Sequence, residues 1–383
     1  MKKNIIFVLL LLNFPCAFSQ QNNLKKSALT PPDPDQDISD TRRLQPIIME
    51  KMEPVENLFI ITLDGFRWQE LFNGADSSLL NDENFTHAPA ALRAVYWAAT
   101  PDERRKRLMP FFWNVIGAEG QVYGNRYYSN NMNVANAYAK SYPGYNEIFT
   151  GTVDPSITSN KKVENHNTNV LEYLNSLPQF KGKVAAFTSW DVFPYILNEG
   201  RSGIIVNSGY DTIPGKILSK EETLLNKTED QYVAEKASTR YDQLTFLVAK
   251  DYIRTKLPKV VFIGLGETDE FAHQGRYDLY LEQANQIDKM LAHLWHMIQT
   301  MPEYANKTRI IITTDHGRGK GKNWTSHSEF IQGATQTWMA VMGPGVRSIG
   351  EVKEKKQAYQ QQIAQTIAYM LGEEFNYISS ANF

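Results

Sequence analysis

Asp315, His316 and Gly317 close a short β-branched run, Arg309-Ile310-Ile311-Ile312-Thr313-Thr314. A run of that length ending in glycine predicts a buried strand whose last residues face a cleft. In open α/β sheets, ligands sit outside the carboxyl ends of the strands. There an aspartate offers a hard oxygen and a histidine a borderline nitrogen, a donor pair suited to zinc or a similar divalent ion. Asp-His-Gly at a strand end also occurs as a plain turn with a helix cap, so the pair decides nothing alone. The rest of the chain supplies matching groups. Asp64 follows a second apolar run, Asn57 to Leu63. Asp269 and His273 follow a third, Lys259 to Gly264, at the spacing that puts two side chains on one helical face. His327 lies in the loop beyond Gly317. Ser141 stands before Pro143-Gly144 at an expected helix start, where a hydroxyl can point outward and free amides can hold an anion. Three aspartates, a serine and three of the seven histidines thus fall where one sheet edge gathers them.

The elements that must position these groups are read from periodicity. Strands are expected at 57–63, 122–128, 184–188, 203–206, 259–264, 309–314 and 337–342. Helices are expected at 88–117, 170–176, 231–254, 277–299 and 353–371, with a polar loop over 152–168. Strands alternating with helices predict an α/β fold, a mainly parallel central sheet with helices on both faces. The 383 residues, 42% hydrophobic and 21% charged, are expected to divide into a signal peptide at 1–19, a polar N-terminal arm at 20–55 and a single domain at 56–383. A net charge of -2 gives no electrostatic footprint for a nucleic-acid polymer.

The first 19 residues have a basic start, an apolar core from Ile5 to Phe14 and small residues at Ala17 and Ser19, which predicts export to the periplasm or medium. Acylation of Cys16 is the alternative, disfavoured by Pro15. Cys16 is the only cysteine, so the mature chain would have neither disulfides nor thiolate metal sites. No other segment is long and apolar enough for a transmembrane anchor.

Taken together, the motifs resemble the alkaline phosphatase superfamily, which includes phosphatases, nucleotide pyrophosphatases/phosphodiesterases and sulfatases. The resemblance rests on Leu-Asp-Gly-Phe-Arg at 63–67, Ser-Tyr-Pro-Gly-Tyr and Thr-Gly within 141–151, Thr-Asp-Glu-Phe-Ala-His at 268–273, Thr-Asp-His-Gly at 314–317 and His327, in the family's order. It implies two divalent metal ions, zinc best suiting the donors. Asp269, His273 and His327 would hold one. Asp64, Asp315 and His316 would hold the other, with the Ser141 oxygen reaching it. Two such ions, about 4 Å apart, can stabilise the attacking and leaving oxygens of an in-line displacement. The implied course is attack by Ser141 on a small-molecule phosphate ester and a phosphoserine intermediate. Asn160, or Asn165, would meet the transferred group.

Two rivals remain in view. The sulfatase branch needs Arg four residues after the modified nucleophile, and Tyr145 stands there. A non-catalytic metal-containing binding protein of the same fold would not need Ser141. Monoester and diester substrates are not distinguished. Tyr142 and Tyr145 could stack on a leaving group but read first as packing residues. Lys161, Lys162 and His166 read as a solvated loop, and His293 and His296 as surface or packing residues.

Overall fold

A computed structural model describes residues 45–48, 51–233 and 239–375. The expected signal peptide, with Cys16, and most of the polar arm lie outside the described residues. The described end of that arm is packed: Ile47, Ile48 and Met52 are buried against the domain, and the Ile47 amide donates to Thr366 Oγ1.

Eleven strands are described: β1 (Asn57–Leu63), β2 (Gln121–Tyr123), β3 (Asn130–Asn133), β4 (Val184–Thr188), β5 (Ile205–Ser208), β6 (Val260–Leu265), β7 (Thr308–Thr313), β8 (Gln336–Thr337), β9 (Met339–Met342), β10 (Gly350–Glu351) and β11 (Lys356–Tyr359). Eight form one sheet in the order β10-β2-β9-β7-β1-β6-β4-β5, and β11-β3-β8 form a second. From β5 to β7 the large sheet is parallel, and β9 is the reversed strand, antiparallel to both β7 and β2. This is the α/β architecture expected from the alternation of strands and helices.

β1, β6 and β7 are buried along their whole length, as parallel strands covered on both faces must be. Side chains alternate between two cores. Phe59, Ile61, Leu63, Val261, Ile263, Ile310 and Ile312 enter one, with Tyr280, Leu281 and Ala284 of the Tyr277–Thr300 helix. Leu58, Ile60, Val260, Phe262 and Ile311 enter the other, with Tyr145, Ile148 and Phe149 of the Ser141–Thr150 helix. The registers set the chemistry: Leu63 pairs with Leu265, and Thr62 with Thr313. The three strands therefore end level, and the residues that follow them emerge side by side.

Several elements differ from the expected ones. The region 88–117 is two helices, Pro89–Tyr96 and Pro101–Leu108, then a π-helical turn at Phe112–Ile116. Thr100 starts the second helix through a capping box with Glu103. The strand expected at 122–128 stops at Tyr123, because Gly124 takes a φ of +106° and the Asn125 side chain accepts from the Tyr127 amide. In place of one helix at 231–254 there are two, Lys220–Tyr232 and Asp242–Lys256. The helix expected at 353–371 begins only at Gln362, because Lys356–Tyr359 pairs with Asn130–Asn133 as β11.

Candidate metal centre

Asp64 follows β1 and is fixed by its backbone: its amide donates to the Leu265 carbonyl, and its carbonyl accepts from Thr268 Oγ1 at 2.6 Å. Gly65 then turns with a φ of +59°, and its amide donates to Asp315 Oδ1 at 3.0 Å. A Cβ there would stand 2.6 Å from Asp269 Oδ1, so the turn requires glycine twice over. Tyr145 Oη donates to Asp64 Oδ2 at 3.2 Å. The other two oxygens, Asp64 Oδ1 and Asp315 Oδ2, are buried and have no hydrogen-bond partner among the described residues. They lie 3.5 and 3.4 Å from His316 Nε2. Ser141 Oγ is 3.3 Å from the same nitrogen. His316 Nδ1 is 3.0 Å from the Gly317 carbonyl, which can only accept, so Nδ1 carries the proton and the Nε2 lone pair faces the oxygens.

Burial, then the neighbouring Asp315 and Asp269 charges, hold the Asp64 carboxyl well above the usual range. Burial pushes Asp315 up to about 7 and His316 down to about 4. Two buried carboxylates with orphaned oxygens around one neutral imidazole are costly unless a cation joins them. The donor set fits a divalent ion on that ground.

The second group adjoins it. Asp269 and His273 lie on the Glu267–His273 helix. His273 Nε2 is 3.1 Å from Asp269 Oδ2 and 3.0 Å from His327 Nε2, and His327 Nε2 is 3.8 Å from Asp269 Oδ1. The His327 ring stacks on His316, centroids 3.8 Å apart. Its Nδ1 donates to the Ala139 carbonyl at 2.9 Å, which again leaves Nε2 free to ligate. Burial pushes His327 down to about 3. Donor atoms of Asp64, Asp315 and His316 lie within 4.8 Å of one another, and so do those of Asp269, His316 and His327. His316 thus stands between the groups, and His273 completes the second from a half-exposed position.

Ser141 is the first residue of its helix, and the side chain of the preceding Lys140 does not cap that end. Gly144 brings the helix against the Asp315 backbone, and Gln360 Nε2 donates to both the Gly144 and Asp315 carbonyls, at 2.9 and 2.7 Å. Glu147, one turn further on, accepts from the amides of Ala135 and Asn136, and Asn136 Oδ1 accepts from the Ala139 amide. A chain of contacts therefore runs from the Ser141 helix to the carbonyl that orients His327. Asn160 lies beside that helix start, but its Oδ1 accepts from the Tyr142 amide at 3.0 Å. Asn165 is buried and donates to Asn146 Oδ1.

Tyr142 and Tyr145 are buried packing residues. Lys162 pairs with Asp191 and His166 with Asp154. His293 and His296 are exposed on the Tyr277–Thr300 helix. Gln360, Glu147 and Arg318 were not legible as site residues. Of the three, only Arg318 carried a signal, a charge directly after Asp-His-Gly.

Residues 183–374 match the metalloenzyme superfamily. No curated protein matches the sequence. Among solved structures, lipoteichoic acid synthase LtaP from Listeria monocytogenes aligns with 11% identity and a TM-score of 0.54, over 84% of this chain and 73% of that one. A four-substitution variant of alkaline phosphatase PafA aligns with 12% identity and a TM-score of 0.56, over 85% and 97%. At such identities the likeness is one of fold. With the superfamily match over half its length and a fold shared with PafA, the chain belongs to the metalloenzyme superfamily and is alkaline phosphatase-like.

Proposed function

We propose that the protein is an exported hydrolase of small-molecule phosphate esters, with Ser141 as nucleophile and two divalent ions, zinc best suiting the donors. One observation carries this reading. Two orphaned carboxylate oxygens, from Asp64 and Asp315, converge with His316 Nε2 and Ser141 Oγ. Asp64, Asp315 and His316 would hold one ion, and Asp269, His273 and His327 the other. Bound there, the ions would neutralise phosphoryl charge and acidify a hydroxyl.

The chain's own groups supply the rest. Ser141 Oγ attacks phosphorus: the hydroxyl gives its proton to solvent, an Oγ–P bond forms, and the bond to the leaving oxygen breaks, that oxygen taking a proton from solvent. Water then cleaves the Oγ–P bond and frees the serine. The Ser141 amide, at the positive end of the helix dipole, favours the negative charge that gathers in the transition state; the Tyr142 amide is taken by Asn160 and Pro143 has none. Tyr145 at the fifth position of the Ser141 motif supports phosphate over sulfate esters. The N-terminal signal pattern supports export. Among the described residues, no helix is long and apolar enough to cross a membrane.

The test is a panel of p-nitrophenyl phosphate, bis-p-nitrophenyl phosphate, a phosphonate ester and a sulfate ester, with metal analysis of the same sample. Ser141→Ala should lose activity by about a thousandfold or more while keeping its metal. Equal turnover by the variant would sink the nucleophile assignment. Preference for the sulfate ester would replace the substrate class.

A further inference from the structure

Arg318 follows Asp315-His316-Gly317 and is fully buried. Its Nε donates to the Trp324 carbonyl at 2.8 Å, and its Nη2 to the Thr325 carbonyl. These bonds fix the guanidinium in place. The remaining edge faces the metal donors: Nη1 is ion-paired with Asp269 Oδ1, and Nη2 is 3.4 Å from His273 Nδ1. Gly65 leaves space for this group, since a Cβ there would stand 3.0 Å from Nη1. Among the described residues its ion pair is with Asp269, and none is made with Asp64 or Asp315.

The two donor sets therefore differ in charge. Asp64 and Asp315 are two buried carboxylates with no arginine or lysine paired to them. Asp269 is one carboxylate already paired with the Arg318 guanidinium. A divalent ion bound at the first position would be balanced by two carboxylates. At the second it would be balanced by one, whose charge the Arg318 guanidinium already offsets. Solvent access adds to the difference, because the His273 side chain is 49% exposed while that of His316 is 0% exposed.

We propose that the two positions bind metal unequally, and that Arg318 makes the Asp269–His273–His327 position the weaker, exchangeable one. The inference rests on the two-ion reading above. It makes occupancy of that position, set by the free ion concentration, the step that limits how much enzyme is complete. Charge interactions at this separation are large enough to expect a gap of at least about tenfold.

The experiment is calorimetric titration of the chelator-stripped full chain with Zn2+, with bound metal counted after gel filtration. Two steps are expected, the second at least about tenfold weaker. His273→Ala, a half-exposed change, should remove the weak step and leave the tight one. Arg318→Met should close the gap to about threefold or less, and Arg318→Lys, which keeps the charge, should preserve it. Two equal steps in the wild type overturn the inference and leave the two-ion reading standing. Loss of the tight step in His273→Ala, or an unchanged gap in a folded Arg318→Met, overturns it as well. Absence of Zn2+ binding in the wild type overturns the two-ion reading and the inference together.

Discussion

A Cβ on Gly144 would stand 2.4 Å from the carbonyl oxygen of Asp315, so the Ser141 helix meets the Asp-His strand end backbone to backbone. Helix propensity alone would favour alanine at position 144 by about 1 kcal/mol. The close approach reverses that sign. Gly144→Ala is expected to destabilise by about 1–3 kcal/mol and to lower kcat by moving Ser141. Denaturant unfolding and steady-state kinetics measure both. A variant as stable and active as the wild type would show that the helix can shift without consequence.

Metal removal should destabilise the protein, increasingly so as pH rises. The folded Asp315 carboxyl keeps its proton up to about 7, whereas an unfolded one loses it near 3.9. A folded-state pKa raised in this way gives a contribution present at low pH and lost as pH climbs through 7. Burial and the neighbouring carboxylates raise Asp64 in the same direction. His316 and His327, pushed down to about 4 and 3, are neutral in the folded protein throughout that window, and their unfolded-state protonation is common to the loaded and stripped protein. The Tm difference between loaded and chelator-stripped protein should therefore widen from pH 6.5 to 8. A difference that is absent or constant over that range contradicts the account.

Asn160 separates two roles by its two ends. Its Oδ1 accepts from the Tyr142 amide, a contact that holds the first turn of the Ser141 helix. Asn160→Asp keeps that acceptor and loses the Nδ2 donor. If Nδ2 meets the transferred phosphoryl group, Asp should lose about tenfold or more in kcat/KM, as Ala does. Near wild-type kinetics in Asp with a loss only in Ala would make Asn160 a helix cap.

Glu147 tests the route to His327. Its carboxylate accepts from the Ala135 and Asn136 amides and from Asn136 Nδ2. Glu147→Gln sets a donor against those donors, at a cost of about 1–3 kcal/mol. The Ala135–Ala139 loop should loosen, and with it the Ala139 carbonyl that orients His327. Weaker metal binding in the variant, with the helix content intact by circular dichroism, is the expected result. Unchanged metal affinity would confine Glu147 to a role in stability.

The strands that carry the chemistry were readable because they are continuous apolar runs that end abruptly in polar residues. Val184–Thr188 is reproduced residue for residue, and Asp64, Asp269 and Asp315 follow three such runs. Elements fixed by distant partners were not readable. Lys356–Tyr359 carries a helix-like pattern, yet it is held as a strand by Asn130–Asn133, more than two hundred residues earlier. Gln360 gave no signal for the same reason. A glutamine between two carbonyls looks like any other until both carbonyls are in place. Arg318 could have been suspected from its position, but only the fold shows that its guanidinium faces Asp269.

The bond between His327 and Ala139 joins two stretches far apart in the chain. Ala139 lies two residues before Ser141, and the His327 ring stacks on His316, so one proton links the loop that leads into the Ser141 helix to the paired imidazoles. A displacement of that loop would carry the His327 ring with it and change its distance from Asp269.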